Sequence, residues 1–205
     1  MIIDNVPNKS RIIGLTGPIG SGKSYIARLF KKFGIKTIDA DRVYHLLTNK
    51  RTKLTEDISA AFGDSVINPD GSLNRPALAT IVFGDSEKLK RLNEITHSVV
   101  IDTILKKCNA CFKRGIYTVL VEVPLMFESG FDKHCTEVIC VVASEQTRLK
   151  RIMKRDSLTE EQAKNRIKNQ KNNDFYIEKS DKVVYNETYK GAHADFLRVY
   201  AELFE

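Results

Sequence analysis

Three sets of residues in this chain have types and spacings that could do chemistry. The first is Gly17-Pro18-Ile19-Gly20-Ser21-Gly22-Lys23-Ser24, which fits G-x-x-x-x-G-K-[ST], the phosphate-binding P-loop. Gly17, Gly20 and Gly22 keep most side chains out of the loop, so backbone N–H groups can turn inward on phosphate oxygens. Ser21 completes the loop, Lys23 carries a mobile positive charge to the β- and γ-phosphates, and Ser24 offers a hydroxyl to Mg²⁺. The second set is Asp39-Ala40-Asp41. Two carboxylates beside a triphosphate loop are costly unless a metal or a proton transfer uses them. The third set is Arg151 and Arg155, spaced i, i+4 and so on one helix face. Phosphoryl transfer needs positive charge around the migrating group, often from a mobile arginine.

These residues need a scaffold, and the sequence supplies one. Residues 11–16 form an apolar run that reads as a strand entering the loop. Tyr25 opens a helix with apolar residues at helical spacing, and Gly34 is its expected C-cap. Residues 35–39 read as a second strand, so the paired aspartates fall at a strand's carboxyl end, where open α/β sheets bind ligands. Asp41 could also N-cap the following helix, which leaves Asp39 without a structural account. Residues 117–123, 137–143 and 182–185 complete a set of five strands. Their nearly continuous apolar character suits a parallel sheet with both faces covered. Glu122 is the acidic exception, at the place where a P-loop protein often has a second acid near Mg²⁺. The expected fold is therefore α/β: a P-loop NTPase core with a five-stranded parallel sheet flanked by helices.

Two segments stand apart from this core. Residues 54–114 are mostly helical, with patterns over 55–62, after Asn74, over about 87–95 and over about 99–112. They form either a helical layer on the sheet or a separate lobe that grips substrate. Residues 144–172 carry the third chemical set. Ser144 caps one helix, Asp156-Ser157-Leu158 breaks it, and Thr159 to Gln162 has capping-box form. The many bases here fit either a solvated face or a hinged lid, and the break beside Arg155 favours the lid. The resulting division is a leader over 1–10, a core over 11–53 and 115–205 that includes the lid, and a helical insertion over 54–114. An amphipathic helix from Tyr189 closes the chain.

Bulk properties narrow the function only slightly. The 205 residues are 42% hydrophobic and carry a net charge of +7, enough core for one domain with an insertion. A basic surface suits nucleic acid, anionic membranes or phosphorylated small molecules. No RNP-like string or helix-turn-helix pattern supports nucleic acid, and no apolar stretch approaches the roughly 20 residues of a membrane span. No signal peptide is visible, and four cysteines suit reduced structural thiols, so the expected location is cytoplasmic with no obligate protein partner. The guanine-reading N-K-x-D of switch GTPases is missing; Asn49-Lys50-Arg51-Thr52 is the nearest string and arrives too early.

Over residues 11–202 the chain resembles the dephospho-coenzyme A kinases. The matching strings are Gly14 to Ser24, Ile38-Asp39-Ala40-Asp41, Gly71-Ser72-Leu73-Asn74-Arg75, Pro124-Leu125-Met126-Phe127-Glu128, Arg151 with Arg155-Asp156, and Arg166 to Gln170. The family's Thr after the loop serine is Tyr25 here, and its His-Pro is His97-Ser98. The resemblance implies transfer of the ATP γ-phosphoryl group to the ribose 3′-hydroxyl of dephospho-coenzyme A, with Mg²⁺. It implies an ATP site over Gly17, Gly20, Ser21, Gly22, Lys23, Ser24 and Tyr25. Asp41, Lys23, Arg151 and Arg155 are then the catalytic candidates, and Asp39, Asp41, Arg75 and His97 the residues for the acceptor substrate.

Overall fold

A computed structural model describes residues 10–204. Of the leader expected over 1–10, residues 1–9 lie outside the described residues. The chain divides into two compact units, residues 1–38 with 111–205, and residues 39–110.

The first unit is built on β1 (Arg11–Thr16). It pairs in parallel with β3 (Thr118–Glu122) on one side and β4 (Glu137–Val142) on the other. β5 (Lys182–Tyr185) extends the sheet in parallel beyond β4, and β2 (Lys36–Asp39) joins at the opposite edge. The order β2-β3-β1-β4-β5 makes β1 the central strand of a five-stranded sheet. Its buried residues Ile13 and Leu15 pack with Leu120, Ile139, Val141 and Val184. One face is covered by α1 (Lys23–Lys32) and α9 (Tyr189–Phe204), which meet where the rings of Phe30 and Phe196 stand edge to face at 4.9 Å. Such aromatic pairs add about 0.5–1.5 kcal/mol beyond the area they bury. A second cluster joins Cys140, Val142 and Tyr176, the last from α8 (Asn173–Lys179), a helix absent from the sequence expectation.

The segment expected to act as a lid folds as α6 (Glu145–Asp156) and α7 (Glu160–Lys168). Ser144 caps α6 by accepting from the Thr147 N–H, and Thr159 with Gln162 forms the capping box of α7. Ser157 ends α6 in the left-handed region at φ 53°. Ile152, Ala163 and Ile167 bury one another between these helices, and the Ile19 side chain of the phosphate loop packs against them.

The second unit contains α2 (Ala40–Thr48), α3 (Lys53–Phe62), α4 (Arg75–Val82) and most of α5 (Ser86–Phe112). Leu54, Ile58, Val66, Leu73 and Leu78 form its core, with Tyr44 and Leu47 of α2 against them. This packing brings α2 into the unit that the sequence division began at residue 54. The two helices expected over about 87–95 and 99–112 are one continuous helix, α5. Ser98, at the junction of the two expected helices, keeps its backbone N–H, and no proline interrupts residues 86–112. Thr96, Ile104, Cys108 and Phe112 are buried at intervals of four or eight along it, the spacing of a single helical face.

Candidate active site

The phosphate loop links β1 to α1 in a geometry that only glycine permits at two points. Gly17 has φ 137°, and a Cβ there would collide with the Val141 carbonyl. Gly22 is the N-cap of α1 in the left-handed region, and a Cβ there would meet the Asn186 amide. Its conformation starts α1 with backbone N–H groups at the loop, a positive pole suited to an anion. Lys23 Nζ donates to the carbonyls of Gly17 at 2.7 Å and Pro18 at 3.2 Å. Ser24 Oγ donates to Glu122 Oε1 at 3.0 Å. Ser24 is exposed and Glu122 half-buried at the end of β3. This is a pair of oxygen donors of the kind a small, hard dication uses together with phosphate oxygens.

Side chains from elsewhere brace the loop. Asn186, almost fully buried after β5, donates through Nδ2 to the Ser21 carbonyl at 2.7 Å. Arg151 Nη1 donates to the carbonyls of Gly20 and Ser21, and Nη2 to Asn186 Oδ1 and the Glu187 carbonyl. Glu187 accepts from the Ser144 N–H and from the hydroxyls of Ser144 and Thr147. Burial pushes its carboxyl up, but these donors and the charge of Arg151 outweigh it and hold the group below the usual carboxylate range. Arg155 lies at the break between α6 and α7. It donates to both oxygens of Asp156, at 2.7 and 2.9 Å, and Arg166 donates to the same carboxylate at 2.7 Å. The hydrogen bond to Asp156 raises the Arg155 value, so this guanidinium stays charged.

Several sequence-predicted residues thus meet in the first unit: the loop from Gly17 to Ser24, Glu122 and Arg151. Arg155 is instead held at the end of α6 by Asp156. Tyr25 lays its ring edge to face against Tyr189 at 5.2 Å, and its N–H bonds to the Gly22 carbonyl.

The remaining candidates lie in the second unit. Asp39, the last residue of β2, is the N-cap of α2 and accepts from the Arg42 N–H at 3.2 Å. The cap considered as the alternative role of Asp41 belongs to Asp39, because the helix starts at Ala40, two residues before the expected Arg42. Asp41 is exposed in the first turn of α2. Arg75 donates to Thr48 Oγ1 at 2.8 Å, meets the His45 ring, and lies over the Tyr44 ring at 5.6 Å. His97 is half-buried midway along α5. His45 and Tyr44 carried no motif signal of their own; the tertiary approach of α4 to α2 is what selects them. Asn186 was legible only as the residue that ends a strand.

Comparisons with known proteins agree with this geometry. The family model CoaE, dephospho-CoA kinase, matches residues 11–190. A Listeria innocua dephospho-CoA kinase is 39% identical over 176 residues, covering 86% of this chain and 88% of its own. Among solved structures, TT1252 from Thermus thermophilus superposes with a TM-score of 0.83 at 28% identity, covering 96% of this chain and 98% of its own. Dephospho-CoA kinase from Campylobacter jejuni gives 0.69 at 29% identity, covering 94% and 96%. With a matched family model over most of its length and close relatives of the same extent, this chain belongs to the dephospho-CoA kinase family.

Proposed function

We propose that this chain transfers the γ-phosphoryl group of ATP to the ribose 3′-hydroxyl of 3′-dephospho-coenzyme A, giving coenzyme A and ADP in the last step of coenzyme A synthesis. Family membership supports the choice of substrate. One observation carries the chemistry: in an intact phosphate loop, the Ser24 hydroxyl is paired with the Glu122 carboxylate. These two residues would hold Mg²⁺, which when bound neutralises charge on the β- and γ-phosphate oxygens.

The other roles belong to the chain's own groups. Loop N–H groups and Lys23 bind the triphosphate. Asp41 accepts or orients the proton of the attacking hydroxyl; its support is its exposed place in the first turn of α2, while Asp39 is occupied as the cap. Arg75 and His97 contact the acceptor. Arg155 adds positive charge from the lid, and Arg151 adds charge while bracing the loop carbonyls. The protein has little covalent work in such a transfer, so positioning and electrostatics supply most of the rate. No described helix is long and apolar enough to cross a membrane, which suits a cytoplasmic enzyme acting on small molecules.

The test is ADP release with ATP and Mg²⁺ and one acceptor at a time. Dephospho-coenzyme A should support turnover, while AMP and shikimate should not. Faster turnover with either of those two would overturn the assignment.

A further inference from the structure

The phosphate loop is gripped at Ile19 from three directions, all from lid-side residues. Its N–H donates to Gln170 Oε1 at 2.7 Å. Its carbonyl accepts from Arg148 Nε at 2.9 Å. Its side chain packs with Ile152, Ala163 and Ile167 between α6 and α7. Arg148 is buried, only 3% exposed, and burial pulls its guanidinium below the ordinary arginine value. A desolvated guanidinium needs fixed acceptors. Nε and Nη1 have them in the Ile19 carbonyl and in Asn173 Oδ1 at 3.2 Å, while the buried Nη2 has no hydrogen-bond partner among the described residues; Asn173 in turn donates to the Ala143 carbonyl at 2.9 Å. Arg148 is thus built in. Gln170 is exposed and lies two residues beyond the end of α7.

The two hydrogen bonds fix different peptide planes. The Ile19 N–H belongs to the Pro18–Ile19 plane, and the Ile19 carbonyl to the Ile19–Gly20 plane. In a trans peptide the carbonyl and the next N–H point opposite ways. Anchoring the Ile19 carbonyl on Arg148 therefore turns the Gly20 N–H away from Arg148. Loop N–H groups of this kind are what a P-loop offers to phosphate.

We propose that Gln170 and Arg148 are positioning residues for phosphoryl transfer: together they set the two peptide planes around Ile19, and so couple the end of α7 to the phosphate cradle. The inference rests on reading the chain as a P-loop kinase. Neither residue touches a reacting atom; each acts through the loop backbone. Docking of the α7 end is then a condition for a correctly shaped loop.

Gln170→Met tests this, because methionine has the same length and no comparable acceptor. Arg148→Ala removes a buried charge and its packing along with the hydrogen bond, so the exposed Gln170 carries the test. The expected result has four parts: kcat/KM for ATP falls about tenfold, the scale of one lost hydrogen bond of about 1.4 kcal/mol; the KM for dephospho-coenzyme A and the melting temperature stay unchanged; and the Ile19 amide exchanges faster in the variant. Unchanged kcat/KM for ATP, or a loss confined to the KM for dephospho-coenzyme A, would overturn the proposal. A fall in melting temperature that accounts for the lost activity would also overturn it. Amide exchange at Ile19 is read without turnover. If the parent protein proved inactive on dephospho-coenzyme A, the functional assignment would fail, and unaltered Ile19 exchange in the variant would separately sink the coupling.

Discussion

Ser24 Oγ donates to Glu122 Oε1 across 3.0 Å, although the two residues are 98 apart in sequence. The register of the sheet explains the meeting. Leu15 of β1 pairs with Glu122 of β3, so the end of β3 lies beside the strand that launches the loop. Parallel strands deliver their carboxyl ends to one edge, and the loop turns back there as α1.

Glu122→Gln should keep the hydrogen bond but remove the charge. We expect turnover to fall by about 10- to 100-fold, with a raised Mg²⁺ requirement, the usual range when a group supporting a metal is lost. Mg²⁺ titration of kcat is the measurement. An unshifted titration curve with normal turnover would remove Glu122 from the metal site.

Asp41 and Asp39 should separate by phenotype. Asp41→Asn should retain ATP binding and lose at least about a hundredfold in kcat, the scale of general-base removal. Asp39→Ala should instead destabilise the fold by about 1 kcal/mol through loss of the α2 cap, and Asp39→Asn should restore that stability. Denaturant unfolding and steady-state kinetics on the same variants decide it. Asp41→Asn enzyme with normal kcat would exclude Asp41 as the base.

Acid should loosen the contact between α6 and α7 through Asp156. A hydrogen bond from Arg155, together with the charges of Arg155 and Arg166, holds its carboxyl below the ordinary value. A carboxylate lowered in the folded state contributes stability above its unfolded value, near pH 4, and loses it as pH falls through the folded value. Protection of the amides across 157–168, taken relative to their intrinsic exchange rate at each pH, should therefore fall on acidification below about pH 4. Asp156→Asn should show faster exchange already at neutral pH and a flatter pH response. Identical profiles for the two proteins would mean that the Arg155–Asp156–Arg166 cluster does not hold α7 against α6.

Burial pushes the Cys140 thiol up to about 11. The folded state thus favours the protonated thiol, and stability should decline as pH rises from the unfolded thiol value toward 11. Cys140→Ala should flatten that alkaline decline relative to the parent. In the native protein at mildly alkaline pH, Cys111 and Cys135 are half-buried and should react first with a thiol reagent, ahead of the buried Cys108 and Cys140. Prompt native-state labelling of Cys140 would contradict its packing.

The sequence reveals what depends on local pattern. The P-loop glycines, the five strands, the Ser144 and Thr159 caps and the Asn74 cap are all signalled by neighbours a few residues away. Apolar periodicity misses the start of α2, because Ala40, buried on the face it shares with Val43, is one small residue between two aspartates and gives little apolar signal. It also suggests a break in α5 where polar residues interrupt the stripe but the backbone does not. Residues that act through distant contacts leave no local mark. Asn186 matters because Gly22 lacks a side chain, and Arg148 matters because its stem is buried under the loop. Arg151 illustrates both cases: its spacing marked it as a candidate, but only tertiary geometry shows that it holds loop carbonyls.

The central position of β1 has a consequence for how the chain is made. Its partners β3 and β4 are synthesised more than 100 residues later, and α9, which covers its core, later still. Residues 39–110 have a core of their own and short-range contacts, so they can condense while the chain is still being translated. The nucleotide loop, by contrast, acquires its shape only after Asn186 has left the ribosome. A nascent chain that ends before that point lacks the Asn186 bond to the Ser21 carbonyl and leaves the apolar β1 without α9 over it.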